Sequence, residues 1–449
     1  MITAFFLFTA NASADGHCGT ADALAALQGH AAAQHVGMLE APDRLFAPDV
    51  PPPGADKVVY GGHYEFFIDT PNFTVNWWDA RISTDAGQRA AAALEEAWTA
   101  FIEQQGWTPP VSSDTYLLWV LLDPSLGGTT GYTTEYVTDD FPDGYPVIYM
   151  NPDWAHSEAF WSSLAAHEFM HAIQYAMRDW SQGGSTAQSW YWEASATHAS
   201  ELANPTWDGH QYTSAWYAEQ PAEAVDSYAG GHQYGMFVLN TWLDEQAEGT
   251  MHDVWRTGVS RPADTWDVLI ADTTALPLSS IWAGFTGAYG NNELAESDLF
   301  VDVITQGDLT DGATGALGYL GSDYYTVPTD VHITIVEGDV VLGGANERMG
   351  TEMTAPAGSL VSVTALQAGE TYVLALSAPQ DPDQDSGLGN QDTGDGDPDT
   401  DVPADTAEDE TTEDAGCDGC SAGPQQSGWL GWLLASVVVW RRTTRWGRR

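Results

Sequence analysis

The chain has 449 residues, enough for two or three domains, and 43% of them are hydrophobic, so most of it can form a folded core. Acidic residues outnumber basic ones by 64 to 13, which gives a formal net charge of −51. Such a surface repels nucleic acid and anionic membranes, which argues against nucleic-acid binding. It suits a protein that works outside the cell in salty water, although an acidic composition common to the lineage would also explain it.

The first 14 residues have the pattern of a secretory signal peptide. An apolar run, Ala4 to Phe8, leads to the small residues Ala12-Ser13-Ala14, a typical cleavage site, although no positive charge precedes the run. Residues 15–55 are rich in Ala and then in Pro, so we expect a short helix and a linker, or a pro-segment. The central chain has no cysteine for a disulfide or a thiolate metal site, since the cysteines are Cys18, Cys417 and Cys420.

Residues 56–315 are predicted to form one α+β domain, a sheet packed against long helices. Apolar runs of strand length occur at His63 to Ile68, Phe73 to Trp78, Tyr116 to Leu122 and Tyr145 to Met150. An earlier helix carries Leu94, Trp98, Phe101 and Ile102 on one stripe and ends before Gly106. Further helices are expected at Ser162 to Arg178, Ser189 to Ala203 and Tyr234 to Glu245.

After residue 315 the sequence changes to short β-rich runs with Gly-containing turns, such as Val331 to Ile335 and Tyr372 to Leu376. Residues 316–380 are therefore predicted to form a small β-sandwich. Residues 381–416 are mainly Asp, Gly, Thr and Pro, so we expect an acidic disordered linker. Its start, Asp381 to Asp385, resembles the beginning of a calcium loop, but the Glu that would complete the loop is absent.

The last segment, residues 417–449, combines Cys417-Asp-Gly-Cys420, an apolar run from Trp429 to Trp440 and a cluster of arginines. This order is typical of a sorting signal that is cut and exchanged for an anchor. The alternative is a plain membrane span oriented by its internal positive charge. Both place the body of the protein outside the inner membrane. A metal site on the two cysteines is disfavoured, because no second pair accompanies them.

The most specific pattern is His167-Glu168-Phe169-Met170-His171. Two histidines four residues apart on a helix present both imidazoles on one face, where they can bind one zinc ion. Glu168 lies beside that face, where its carboxylate can accept a proton from water. The apolar neighbours of the motif indicate that this helix is buried. The alternative to a zinc site is therefore a pair of core histidines that each have a hydrogen-bond partner.

A catalytic zinc needs a third protein ligand. Gln174 and Met177 stand where the metzincin pattern requires Gly and His, which excludes that class. The leading candidate is Glu193, which follows His171 on the next predicted helix and has small neighbours that let two helices approach closely. The rivals for the third position are His198, Glu201 and His210.

The reaction expected of this site is hydrolysis of a peptide bond. Zinc polarises the scissile carbonyl and acidifies water, and Glu168 takes the proton from water and passes it to the leaving amine. The oxyanion needs a further hydrogen-bond donor. The candidates are Tyr228, His232 and Tyr234, of which Tyr234 is preferred because it begins a helix downstream of the ligands.

The motif with Glu193 resembles the gluzincin metallopeptidases, in which the third zinc ligand is a Glu on the next helix. In thermolysin-like gluzincins an Asp four residues after that Glu orients a histidine. Thr197 occupies this position here, so the partners of the histidines must be different.

The body of the chain also resembles a family of secreted myxobacterial metallopeptidases between residues 60 and 250, with a weaker match through Gly321 to Tyr325. The shared segments are Leu94 to Trp98 with Gly106-Trp107-x-x-Pro110, Ala166 to Gln174, Trp192 to Ala194 and Gln233 to Gly235. The resemblance implies a zincin-like domain with zinc ligands His167, His171 and Glu193 and with Glu168 as the base. The tail resembles the myxobacterial sorting signal MYXO-CTERM, with Gly419-Cys420 as its core, which implies a sorting protease that acts near Cys420.

The sequence therefore favours an exported, surface-anchored zinc peptidase that acts on protein or peptide substrates, an endopeptidase rather than an exopeptidase. It would meet the membrane through its C-terminal segment. The alternative is a surface adhesin on an inactive zincin scaffold, against which the intact Glu168 argues. A third interpretation is a zinc hydrolase that cleaves another bond, such as a glycan-attached amide.

Overall fold

The computed structural model describes residues 17–18, 57, 59–60, 62–136, 141, 144–177, 189–204, 209–346 and 348–379. Several predictions lie outside these residues. They are the signal peptide at 1–14, the N-terminal segment at 15–55 apart from 17–18, the acidic linker at 381–416 with its calcium-like start, and the anchor segment at 417–449 with Cys417 and Cys420.

A six-stranded mixed sheet forms the first layer of the fold. Its strands are β1 (His17–Cys18), β2 (Phe66–Asp69), β3 (Phe73–Trp77), β4 (Leu118–Leu122), β5 (Thr129–Tyr136) and β6 (Tyr145–Met150), in the order β1-β5-β6-β4-β3-β2. Strands β3, β4 and β6 are parallel, whereas β5 runs antiparallel to β6. One face of the sheet, which includes Val75, Val120 and Ile148, is buried with the helices in the largest hydrophobic core.

Four of these strands were expected from the sequence, with small shifts at their ends. Strand β2 begins at Phe66 rather than His63, and β4 begins at Leu118 rather than Tyr116. Strand β5 was not expected. It consists mainly of Thr, Gly and Tyr and shows no apolar alternation, although most of its side chains are buried.

Three long helices pack in the second layer: α1 (Thr84–Trp98), α2 (Glu158–Met177) and α3 (Trp190–Ala203). Helix α1 begins after Ser83, whose side chain accepts a hydrogen bond from the Ala86 backbone, and it continues into a π-helical turn, Thr99–Gln104. Helix α2 contacts α1, α3 and strands β5 and β6, which explains why it is buried almost all round. This central helix carries the predicted zinc motif.

Six shorter helices follow: α4 (His210–Ala218), α5 (His232–Gly235), α6 (Phe237–Gln246), α7 (Thr250–Ser260), α8 (Trp266–Thr274) and α9 (Leu278–Gly290). The predicted helix from Tyr234 to Glu245 is therefore wrong in one respect, because the chain breaks it at Met236 into α5 and α6. Gly235 lies against the backbone of Tyr217 on α4, where a Cβ atom would overlap the Tyr217 nitrogen.

Residues 314–377 contain two four-stranded antiparallel sheets that share one core. The strands are β7 (Thr314–Leu317), β8 (Ser322–Thr326), β9 (Val331–Glu337), β10 (Val340–Gly344), β11 (Arg348–Gly350), β12 (Glu352–Ala355), β13 (Leu360–Ala365) and β14 (Glu370–Ser377), ordered β11-β10-β13-β8 and β12-β9-β14-β7. Ile333 and Leu342, from opposite sheets, lie in the shared core. Helix α9 packs on the first sheet, with Thr286 Oγ1 2.7 Å from Ser362 Oγ.

The predicted α+β class is confirmed, since helices and several sheets make up the described residues. No single helix in this part of the chain is long and apolar enough to cross a membrane. Helices α8 and α9 meet that requirement only when taken together, and they are bent by 87°.

Candidate metal centre

Helices α2 and α3 bring His167, His171 and Glu193 together. The Nε2 atoms of the two histidines are 3.1 Å apart, and Glu193 Oε2 lies 3.2 Å from the first and 3.4 Å from the second. The three donor atoms thus form a nearly equilateral triangle. Ligands at about 2.0–2.1 Å from a tetrahedral zinc ion are about 3.3 Å from one another, so the triangle has the size of one face of that tetrahedron.

The triangle is enclosed by protein. His171 and Glu193 are fully buried, and His167 is 8% exposed. Burial alone would raise the pKa of Glu193, but the two facing histidines hold it at about 2, so the carboxylate is charged at neutral pH. Burial lowers the pKa of His171, but Glu193, with smaller contributions from Glu168 and Gln174, outweighs this effect and the pKa is raised overall.

Glu193 Oε1 is buried without a hydrogen-bond partner among the described residues. Such an atom is costly to bury unless it is paired, so a second oxygen of the same carboxylate is available to a cation. Two imidazole nitrogens and one carboxylate form a donor set typical of catalytic zinc. In the part of the chain that the structure describes, no further His, Cys, Asp or Glu joins this cluster.

Two of the rivals for the third position, His198 and Glu201, lie elsewhere. His198 and Glu201 are farther along α3, where they line a separate cavity of about 310 Å³. His198 Nε2 is 3.0 Å from Asp244 Oδ2 there, so its ring has a different partner. His210 is the first residue of α4. Of Glu193, His198 and Glu201, only Glu193 clusters with the two motif histidines.

Glu168, the predicted base, points toward β5 rather than into the triangle of ligands. Thr133 Oγ1 lies 3.0 Å from Glu168 Oε2 and 2.8 Å from its carbonyl oxygen. Gly131, two residues earlier on β5, leaves room for the carboxylate, because a Cβ atom there would lie 2.9 Å from Glu168 Oε1. The negative charge of Glu168 also contributes to the raised pKa of His171, so the predicted base and the candidate ligand influence each other electrostatically.

The three candidates for the oxyanion donor occupy different surroundings. Tyr234 is 5% exposed, and its ring centroid is 6.1 Å from that of His167. The hydroxyl of Tyr228 pairs with that of Ser189, and His232 packs against Tyr217. Of the three, Tyr234 is the one whose ring is shown to lie beside a candidate metal ligand, His167.

His232 supplies a pH-dependent prediction. Burial lowers its pKa from 6.5 to about 4, against a smaller opposing effect of the Trp216 backbone. The folded protein binds this proton more weakly than the unfolded chain, so stability is lost as pH falls from 6.5 toward 4. We expect the free energy of unfolding of the metal-free protein to fall between pH 7 and pH 4. The fall should be about 3 kcal/mol larger in the wild type than in His232→Gln, which lacks the titrating ring. Urea unfolding at both pH values measures this difference, and equal losses in the two proteins would show the prediction to be wrong.

Gln174 is the part of the site that the sequence did not reveal. Its Oε1 atom lies 2.7 Å from His171 Nδ1, and its Nε2 atom lies 3.1 Å from the Trp192 carbonyl and 3.0 Å from Ser195 Oγ. Gln174 thus orients a histidine. In thermolysin-like gluzincins an Asp has this role, at the position that Thr197 occupies here. The available signal was its spacing, since a residue three positions after His171 lies on the same helical face.

Comparison with known proteins finds one partial match to a family and assigns no activity. No curated protein matches the chain. Residues 79–273 match a protein family described as a family of unknown function, DUF6055. The matched range contains His167, Glu168, His171, Gln174 and Glu193, so the candidate metal centre lies wholly within the region of similarity.

Proposed function

We propose that this protein is a zinc-dependent peptidase whose metal is held by His167, His171 and Glu193. The observation that carries the proposal is the buried triangle of two Nε2 atoms and one carboxylate oxygen, with edges of 3.1–3.4 Å. We assign residues 56–315 to a zincin-like metallopeptidase domain on the same ground, together with the resemblance to gluzincins and to secreted myxobacterial peptidases.

Three protein ligands favour a catalytic over a structural site. A structural zinc is closed by four protein ligands, whereas a catalytic zinc keeps one position for water or substrate. The described residues contribute three donors to the cluster and no fourth. One carboxylate and two neutral imidazoles would also leave a net positive charge on a bound dication, which suits the stabilisation of an oxyanion.

Zinc in this triangle would supply a Lewis acid that polarises the scissile carbonyl and acidifies water. Glu168 follows His167 directly on α2, and the Thr133 hydroxyl holds its carboxylate. We assign Glu168 as the general base that accepts the proton of the attacking water and then donates it to the leaving amine. Tyr234, beside His167, is assigned as the donor to the oxyanion.

We also propose that the enzyme is exported and anchored at the cell surface. Support comes from sequence patterns alone, the signal-like residues 1–14 and the MYXO-CTERM-like residues 417–449. Protein or peptide substrates outside the inner membrane and a sorting protease that acts near Cys420 belong to this proposal. The net charge of −51 is compatible with it.

The direct test is hydrolysis of an unfolded protein by the purified full-length chain before and after metal removal. We expect a chelator such as 1,10-phenanthroline to reduce hydrolysis to background, and one equivalent of Zn²⁺ to restore it, because the carbonyl is no longer polarised without the ion. Mg²⁺ is the matched control, since it prefers six oxygen ligands and should not restore activity.

Two outcomes would reject the proposed function. Full hydrolysis by a chain shown to contain no metal would rule out a metallopeptidase. A zinc-loaded chain that cleaves no peptide bond would instead favour a binding protein on an inactive scaffold.

A further inference from the structure

The amide of Gln174 connects the two helices that supply the metal ligands. Gln174 is on α2 and fully buried, and its Oε1 atom is 2.7 Å from His171 Nδ1. Its Nε2 atom is 3.1 Å from the carbonyl oxygen of Trp192 and 3.0 Å from Ser195 Oγ. These two partners flank Glu193 on α3, so one side chain touches a histidine ligand and the segment that carries the carboxylate ligand.

The direction of every hydrogen bond in this network is forced. The Trp192 carbonyl can only accept, so the Gln174 atom that faces it must be the NH₂ group. Ser195 Oγ is 2.5 Å from the Tyr191 carbonyl and 3.3 Å from the Trp192 carbonyl, and since carbonyls only accept, its single proton is donated to them. Trp255 Nε1, 3.1 Å from Ser195 Oγ, can only donate. The two lone pairs of Ser195 therefore accept from Trp255 and Gln174.

This chain of donors fixes the tautomer of His171. Since the NH₂ group of Gln174 faces α3, its Oε1 atom must face His171, and an amide oxygen can only accept. His171 Nδ1 therefore carries the proton. In a neutral imidazole the other nitrogen, Nε2, then bears the lone pair, and that nitrogen lies 3.4 Å from Glu193 Oε2 and 3.1 Å from His167 Nε2.

We propose that Gln174 is a positioning residue of the metal centre, with two effects. It reserves the Nε2 lone pair of His171 for the metal, and it holds α2 and α3 at the separation that brings His171 and Glu193 to one ion. The inference rests on the proposed function only in requiring a metal at this site, and it holds whatever bond the protein cleaves.

The test is Gln174→Met in the full-length chain. Methionine has a similar length and volume but neither accepts from His171 nor donates to α3. We expect the dissociation constant for Zn²⁺, measured by competition with a chromophoric chelator, to rise about 10- to 100-fold, the usual result of losing the hydrogen-bond partner of a ligand. The visible spectrum of the Co²⁺ form should change. Two-bond ¹H–¹⁵N spectra of the metal-free protein should show that His171 no longer has a single tautomer.

A matched control separates this role from a general loss of buried hydrogen bonds. Thr286→Val on α9 also removes a buried hydroxyl, one that hydrogen-bonds to the Trp282 carbonyl and to Ser362 Oγ. Thr286 lies outside the metal cluster. The metal affinity and Co²⁺ spectrum of this variant should equal those of the wild type. If Gln174→Met does not fold, Ser195→Ala still tests the network, and it should weaken metal binding about 2- to 10-fold through the loss of one hydrogen bond.

The outcomes distinguish this inference from the proposed function. If the wild type binds zinc and Gln174→Met binds it with equal affinity and an unchanged Co²⁺ spectrum, Gln174 has only a structural role and the inference is overturned alone. If the wild type binds no zinc, the inference and the proposed function fall together. Neither result depends on finding a substrate.

Discussion

Glu193→Gln in the full-length chain is expected to abolish stoichiometric zinc binding. The substitution removes the one carboxylate that the described residues contribute to the cluster, a group that is buried and charged at neutral pH, and replaces it with a neutral amide that is a poor zinc ligand. Loss of a direct ligand should weaken affinity by more than the roughly 10- to 100-fold caused by loss of an outer partner. Metal analysis after dialysis, and zinc titration against a competing chelator, measure the change.

Glu201→Gln is the matched control for this experiment. Glu201 lies two turns farther along the same helix, is 5% exposed and stands outside the metal cluster. It should keep one zinc per chain with wild-type affinity. If Glu193→Gln kept its zinc, or if Glu201→Gln lost it, the third ligand would have been assigned to the wrong residue.

Glu168→Gln is expected to lower the rate of peptide hydrolysis about 10²- to 10⁴-fold, the usual contribution of a general base. The amide has the shape of the carboxylate and can still accept a hydrogen bond from Thr133, but it cannot take a proton from water. Because Glu168 is not among the clustered ligands, the variant should bind zinc as the wild type does. Steady-state hydrolysis and zinc content are measured on the same preparation.

The combination of the two readouts decides the role of Glu168. Loss of hydrolysis with full zinc content supports a base, whereas loss of both would mean that Glu168 maintains the metal site itself. Undiminished hydrolysis with zinc in place would remove Glu168 from the mechanism.

The three clustered residues and their helices could be predicted because their signals are local. A spacing of four residues places His167 and His171 on one helical face wherever the helix lies. Glu193 was favoured for its place on the next helix, and the structure brings its carboxylate within 3.4 Å of both histidines. The ends of α2 and α3 were likewise expected to within a few residues, because buried helices leave a continuous apolar signal.

The surroundings of the ligands could not be predicted, because they depend on contacts between distant segments. Thr133 and Gly131 contact Glu168 from β5, and Thr133 is 35 residues away from Glu168 in the sequence. Strand β5 has no apolar alternation, so its position could not be predicted. The role of Gln174 depends on which atoms of α3 face it, and helix spacing alone does not give that information. Local patterns thus predicted which residues come together, and tertiary packing determined how their side chains are oriented.

The central claim is that His167, His171 and Glu193 hold one zinc ion, and zinc-edge X-ray absorption of the purified full-length chain tests it most directly. We predict one zinc per chain, with nitrogen and oxygen neighbours at about 2.0–2.1 Å, two of them imidazoles, and no sulfur. Absence of zinc from the chain after incubation with the ion would contradict the claim. A sulfur shell at about 2.3 Å would also contradict it, because the metal would then be bound to cysteine rather than to this site.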